Sequence, residues 1–324
     1  MTVINVNKTE GRNGSIDALR LILAFIVVTN HTCIFGLYAQ DIIDCAVPVF
    51  LMISGYYFTP STLEEEKARY AKNIKKLTPI LIGSILLYIL WDVVKYYIFE
   101  INTPYSISTL WTCANLFCPP LWYIHAFLYL NVILWVVTTI SSHLNKEVSI
   151  RKTPTFVLLL IAFLLWVFIK SQYHIIFGWN IILCFVFFVI GVLIRRFSIN
   201  NFDNRLVIAM GGAFSIFISV VLRKYGIQEL SGLDIAYHFP TVLLSICLLL
   251  LFAKLHISST NVISQVGRKY SLHIYIVHWM IIEIFNLANN FQIPPLIRPF
   301  AVTLISLLLS MLYVKGKHFF IPVH

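Results

Sequence analysis

The sequence predicts an all-α fold: a polytopic membrane helix bundle of about ten transmembrane helices with both termini cytoplasmic. Three observations predict it. Hydrophobic residues make up 59% of the 324 and charged residues only 12%, against roughly 25% charged in soluble domains. The apolar residues come in runs near the ~20 that a helix needs to cross hydrocarbon. Lys and Arg gather in alternate connections, the asymmetry that orients membrane proteins. The mean hydropathy of +0.84 agrees. A net charge of +10 would suit nucleic acid, but the cations lie in short loops between apolar runs, which fits a bilayer and no nucleic-acid partner.

The first fifteen residues, MTVINVNKTEGRNGS, are polar and lack a small-residue cleavage site. They read as a cytoplasmic tail (1–15) ahead of a single transmembrane domain (16–324), with the first apolar run kept as a helix. The spans fall at 16–36, 43–59, 77–99, 119–140, 155–171, 175–194, 205–222, 234–255, 270–288 and 294–316. The second is short and holds Pro48 and Gly55, which predicts a broken or tilted helix. The longest polar connections are 59–76 and 100–118, and no internal repeat is visible. With the N-terminus inside, every Lys and Arg except Lys95, Lys170, Arg223, Lys224 and Arg298 falls on the inner side. The six cysteines match neither a zinc nor a redox pattern. They read as small packing residues, with a disulfide among Cys33, Cys45, Cys113 and Cys118 left open and no metal site expected.

Polar side chains inside such spans need a reason, because a charge there costs at least ~2.5–3.5 kcal/mol. The first span, IDALRLILAFIVVTNHTC, holds Arg20 and His31. Eleven residues make about three turns, so the two point the same way, roughly 16 Å apart. In the second span Ser54 and Tyr56 place hydroxyls at the expected break, a candidate cavity lining. The basic cluster KARYAKNIKKLTP puts Arg69, Lys72, Lys75 and Lys76 where the third span begins. Positive-inside anchoring explains such a cluster, and beside Arg20 it would equally trap phosphate. Trp122 and Tyr123 open the fourth span as interfacial aromatics. In GRKYSLHIYIVHWM, Ser271, Tyr275 and His278 recur at four and three residues and share one helix face. His278 then reaches a depth near that of His31. Asp92 lies three residues before Lys95, which reads as a structural pair.

Together these stretches resemble the acyltransferase-3 family of bacterial membrane O-acyltransferases. IDALR with its following histidine (Asp17, Arg20, His31) carries one motif. VPVFLMISGYYF is similar to the family's V-P-x-F-F-x-x-S-G-Y/F at Val47 to Tyr56, and SLHIYIVH to its S-x-x-I-Y-L-x-H at Ser271, Tyr275 and His278. PLWYIH also resembles a family W-Y/F-L. Leu51 departs from the usual Phe, and Lys75 or Lys76 stands where many members carry Arg, giving up bidentate phosphate geometry. His273 also replaces a more common aromatic or aliphatic residue.

The resemblance implies transfer of an acyl group, typically acetyl, from cytoplasmic acyl-CoA to a hydroxyl of a cell-surface glycan or lipid-linked sugar, in the bacterial inner membrane. The donor's phosphates would be held by Arg20 (steadied by Asp17), Arg69, Lys72, Lys75 and Lys76. The catalytic groups would be His31, His278 and Tyr275, in a substrate pocket of Ser54, Tyr56, Trp122, Tyr123 and Ser271. A pantetheine arm reaches on the order of 15–20 Å, comparable with the rise from Arg20 to His31. His31 as general base and His31 as acyl-carrying nucleophile both stay open. One alternative is a transporter or exporter of a small molecule such as an amino acid or glycan precursor, since broken helices and intramembrane polar residues suit transport too; another is a non-catalytic membrane partner in polysaccharide assembly, with the motifs serving only as packing.

Overall fold

The computed structural model describes residues 13–32, 40–101, 119–144, 176–198, 205–224, 239–287 and 294–320, with Ile150, Thr153 and Val157. Among them the secondary structure is helical, without strands. The helices are α1 (Gly14–His31), α2 (Gln40–Asp44), α3 (Ala46–Tyr56), α4 (Leu63–Phe99), α5 (Trp122–His143), α6 (Ile176–Ser198), α7 (Arg205–Lys224), α8 (Phe239–Lys254), α9 (Val262–Leu287) and α10 (Arg298–Phe320). Nine of the ten expected spans coincide with one of them, and the fifth (155–171) lies outside the described residues apart from Val157. By length and composition four helical stretches among the described residues suffice to cross a membrane: Gly14–His31, Leu63–Phe99, Trp122–His143 and Arg298–Gly316. Cys45, Cys184 and Cys247 are buried and form no disulfide with one another; Cys33, Cys113 and Cys118 lie outside the described residues.

Two expectations are corrected. The connection 59–76 is helical for most of its length, because α4 starts at Leu63. Thr62 caps it by accepting the Glu65 N–H at 3.1 Å, and three glutamates in the first turn complement the positive helix end. The Glu65 carboxylate accepts both the N–H and the hydroxyl of Ser61 at 2.8 Å. These bonds to the charged form hold its carboxyl below the ordinary range. The second correction concerns Pro48 and Gly55, which do not break α3. The interruption comes earlier, at Cys45, between α2 and α3. Pro48 sits in the first turn of α3, where its missing N–H has no intrahelical partner to lose.

Gly55 is there for packing. A Cβ on it would lie 1.9 Å from the Phe188 carbonyl oxygen, and one on Gly191 would lie 2.0 Å from that of Met52. Glycine at both positions lets α3 and α6 touch backbone to backbone, the small-residue contact favoured where water does not drive packing. Gly267 does the same for α9 on α1, its absent Cβ falling 2.0 Å from the Asp17 carbonyl oxygen. The Ser264 hydroxyl donates to the Gly14 carbonyl at 2.8 Å alongside. The N-terminus of α1 is tied down further. Asn13 accepts the Ser15 N–H and donates to the Ala253 carbonyl, both at 2.9 Å, and the Ser15 hydroxyl donates to Leu255 at 2.7 Å. Helices α1 and α9 therefore run parallel and in close contact, with α3, α4 and α5 completing the walls around the space they frame. On the outside, α4, α7 and α10 expose Leu90, Phe217 and Leu312, each more than 60%, the surface a bilayer covers.

Candidate active site

A cavity of about 710 Å³ opens between these helices. Helix α4 lines it with Arg69, Lys72, Asn73, Lys76 and Leu77, spaced at i, i+3, i+4, i+7 and i+8 on one face. Helix α1 contributes Arg20, and α5 contributes Tyr123 and Phe127. Helix α3 and its C-terminal end contribute Phe50, Ser54, Tyr57 and Phe58, and α9 contributes Arg268, Ser271, Leu272 and Tyr275. Five cations from three helices thus meet one apolar and aromatic pocket.

Two of them, Arg20 and Arg69, are held in place by contacts with the protein. Arg20 pairs with the buried Asp17 at 3.4 Å and lies over the Tyr57 ring at 5.9 Å, an attractive cation–π placement. Arg69 donates to the backbone carbonyls of Tyr57 at 2.9 Å and Thr59 at 3.5 Å, so the cationic face of α4 is fastened to the end of α3. Asn73 donates to Asn131 at 2.9 Å and Asn131 to the Phe127 carbonyl at 2.7 Å, which links α4 to α5.

From the cavity a chain of rings leads inward. Tyr123, parallel to Phe127 at 6.1 Å, meets Tyr275 edge-on at 5.5 Å. Tyr275 lies 5.8 Å from His278, and His278 lies 5.3 Å from His31. Trp279 closes on His31 edge-on, also at 5.3 Å. The Tyr275 hydroxyl donates to the Pro120 carbonyl, so it braces the turn before α5. His278 is fully buried, with Nδ1 3.3 Å from the Ile274 carbonyl. A carbonyl only accepts, so Nδ1 carries the proton there, and in the neutral ring Nε2 is a bare acceptor. That Nε2 has no hydrogen-bond partner among the described residues. His31 ends α1 and is half-buried.

Eight of the fourteen residues singled out from the sequence therefore line one cavity: Arg20, Arg69, Lys72, Lys76, Ser54, Tyr123, Ser271 and Tyr275. Asp17 stands behind Arg20, and His31 and His278 meet beyond Tyr275. Three do not belong to the lining. Lys75 is exposed on another face of α4, because it falls between the positions that share the cavity face. Tyr56 turns to α6, where Arg195 donates to its hydroxyl at 3.1 Å and covers its ring; its neighbour Tyr57 takes the cavity position. Trp122 packs against the apolar core. Sequence reasoning missed Arg268, Asn73 and Tyr57. Arg268 was within reach, since it precedes Ser271 by three residues on the face already identified. Tyr57 depended on where α3 ends. Among the described residues no three His, Cys, Asp or Glu side chains converge as metal ligands.

Residues 13–315 match the family model of an acyltransferase domain, nearly the whole chain. The chain belongs to the acyltransferase-3 family. It is accordingly a membrane acyltransferase, and the cavity with its histidine pair is the candidate active site of that enzyme. No curated protein and no solved structure matches the chain. The acyltransferase's buried ion pairs elsewhere sort apart from this site. Lys95 bridges Asp92 at 2.6 Å and Glu283 at 3.0 Å, with Trp91 donating to Glu283 at 2.6 Å. His273 lies 5.4 Å from the Tyr313 ring on α10.

Proposed function

We propose that this acyltransferase moves an acyl group, acetyl by preference, from acyl-CoA to a hydroxyl of a glycan or lipid-linked sugar at the bacterial inner membrane. The observation that carries the reading is a cavity lined by five cations, with two adjacent histidines just behind Tyr275 in its wall. Coenzyme A is a polyanion on a long arm. Its phosphates suit Arg20 and the row Arg69, Lys72 and Lys76, since guanidinium and ammonium groups form strong charge-assisted bonds to phosphate oxygen. The pantetheine arm then extends past Ser54, Tyr123 and Ser271. From Arg20 to His31 is eleven residues of helix, about 16 Å, which fits that arm. On this reading the basic end of the bundle is cytoplasmic and the acceptor arrives from the other side.

His31 takes the proton of the acceptor hydroxyl as general base. The oxygen attacks the thioester carbonyl, the new C–O bond forms, the C–S bond breaks, and the departing thiolate recovers the proton. His278 positions His31, and Tyr275 holds the wall between cavity and histidines. Transfer by way of an acyl group carried on His31 would use the same placement.

The test is calorimetric binding of acetyl-CoA to the detergent-purified protein, as wild type, Arg20→Ala and His31→Ala. Arg20→Ala should weaken binding at least tenfold, on the order of one charge-assisted contact. His31→Ala should bind as wild type yet lose acyl transfer by about 10²-fold or more. Folded wild type that binds no acetyl-CoA would sink the reading and favour transport.

A further inference from the structure

Helix α9 repeats the layout of α1. The two run side by side and parallel, with Gly267 against Asp17 and Ser264 against Gly14. Each carries an arginine near its basic end and a histidine further along: Arg20 and His31 on α1, Arg268 and His278 on α9. The separations are eleven and ten residues, about 16 and 15 Å of rise. Both arginines line the same cavity, and both histidines meet at 5.3 Å. The fold therefore holds two Arg-to-His rails in register.

The cavity's cations differ in what already satisfies them. Arg20 has Asp17, and Arg69 has two backbone carbonyls. Arg268 is exposed and makes no hydrogen bond or ion pair with any described residue, and Lys72, in the α4 wall of the same cavity, is in the same condition. Two unpaired cations on different walls repel each other, and an anion between them relieves that repulsion. The guanidinium fork matches two phosphate oxygens at once.

We propose that Arg268 is a donor-binding residue, closing on a phosphate of the acyl donor from the α9 side while Lys72 closes from α4. The proposal rests on the cavity being the acyl-CoA site. The phosphate is either the diphosphate bridge of coenzyme A or its separate ribose phosphate. Calorimetric titration of the full chain in detergent with coenzyme A and with its 3′-dephospho form tests this, in wild type, Arg268→Ala, Arg268→Lys and Lys269→Ala. Arg268→Ala should bind coenzyme A about tenfold or more weakly, and Arg268→Lys should recover part of the loss. Lys269→Ala, an exposed neighbour outside the cavity lining, should bind as wild type. A loss confined to coenzyme A assigns Arg268 to the ribose phosphate, and an equal loss for both ligands assigns it to the diphosphate. Unchanged binding in Arg268→Ala, or an equal loss in Lys269→Ala, overturns the proposal and leaves the donor site standing. Folded wild type that binds neither ligand overturns both.

Discussion

The two ends of α4 treat lysine in opposite ways. Toward its C-terminus Lys95 is 5% exposed and bridges two carboxylates, Asp92 and Glu283, from its own helix and from α9. Toward its N-terminus, about 34 and 28 Å away along the axis, Lys72 and Lys76 are exposed and face a cavity with other cations. One end has its counter-charges built in, whereas at the other Lys72 makes no hydrogen bond or ion pair with any described residue. On the proposed function the difference separates holding the bundle together from binding a donor: a buried cation must be paired by the protein, whereas like charges around a pocket attract an anionic ligand. The Tyr88 hydroxyl, donating to the Ile276 carbonyl at 2.6 Å, adds to the holding end.

The comparison can be broken most severely at Lys95. Lys95→Ala leaves Asp92 and Glu283 facing each other without their cation, and should cost ~3–5 kcal/mol of stability. A thermal melt in detergent would show a large drop, and a melt like that of wild type would mean that the triad is not what fastens α4 to α9. Lys72→Ala should do the reverse. We expect an unchanged melting temperature and a donor KM raised about tenfold, the loss of one charge-assisted contact, with kcat little altered; a fallen kcat at unchanged KM would remove Lys72 from donor binding. Lys75→Ala is the smallest change. Exposed and off the cavity face, it should move stability by no more than about 0.5 kcal/mol and leave donor KM where it was. A KM shift matching that of Lys72→Ala would show that bulk charge near the cavity mouth, rather than the lining itself, attracts the donor.

The helices were legible because each apolar run carries its own signal, and nine of the expected spans coincide with helices among the described residues. The start of α4 was not. Its polar first half, LEEEKARYAKNIKKL, lacks apolar character yet is rich in helix formers, so hydropathy placed a loop where propensity and the Thr62 cap make a helix. The same boundary decides the site, since the cations of α4 line the cavity only because they ride on that helix. Lys75 shows the cost of reading them as a cluster: adjacent in sequence to Lys76, it is on a different face. Tyr56 and Tyr57 are a similar pair, where a neighbour in sequence occupies the place expected of the other.

The sequence by itself determined that this chain is a membrane helix bundle, and its motifs marked Arg20, His31, Ser271, Tyr275 and His278 as side chains needing a partner. Those conclusions rest on composition and on spacing within one helix, which are local properties. Only the tertiary structure decided that His31 meets His278, that Arg268 joins Arg20 at one cavity, and that Tyr56 turns to Arg195 instead. Each depends on how far one helix is rotated and shifted against another. Here that is set by backbone contacts at Gly55, Gly191 and Gly267, which spacing along a single chain does not encode.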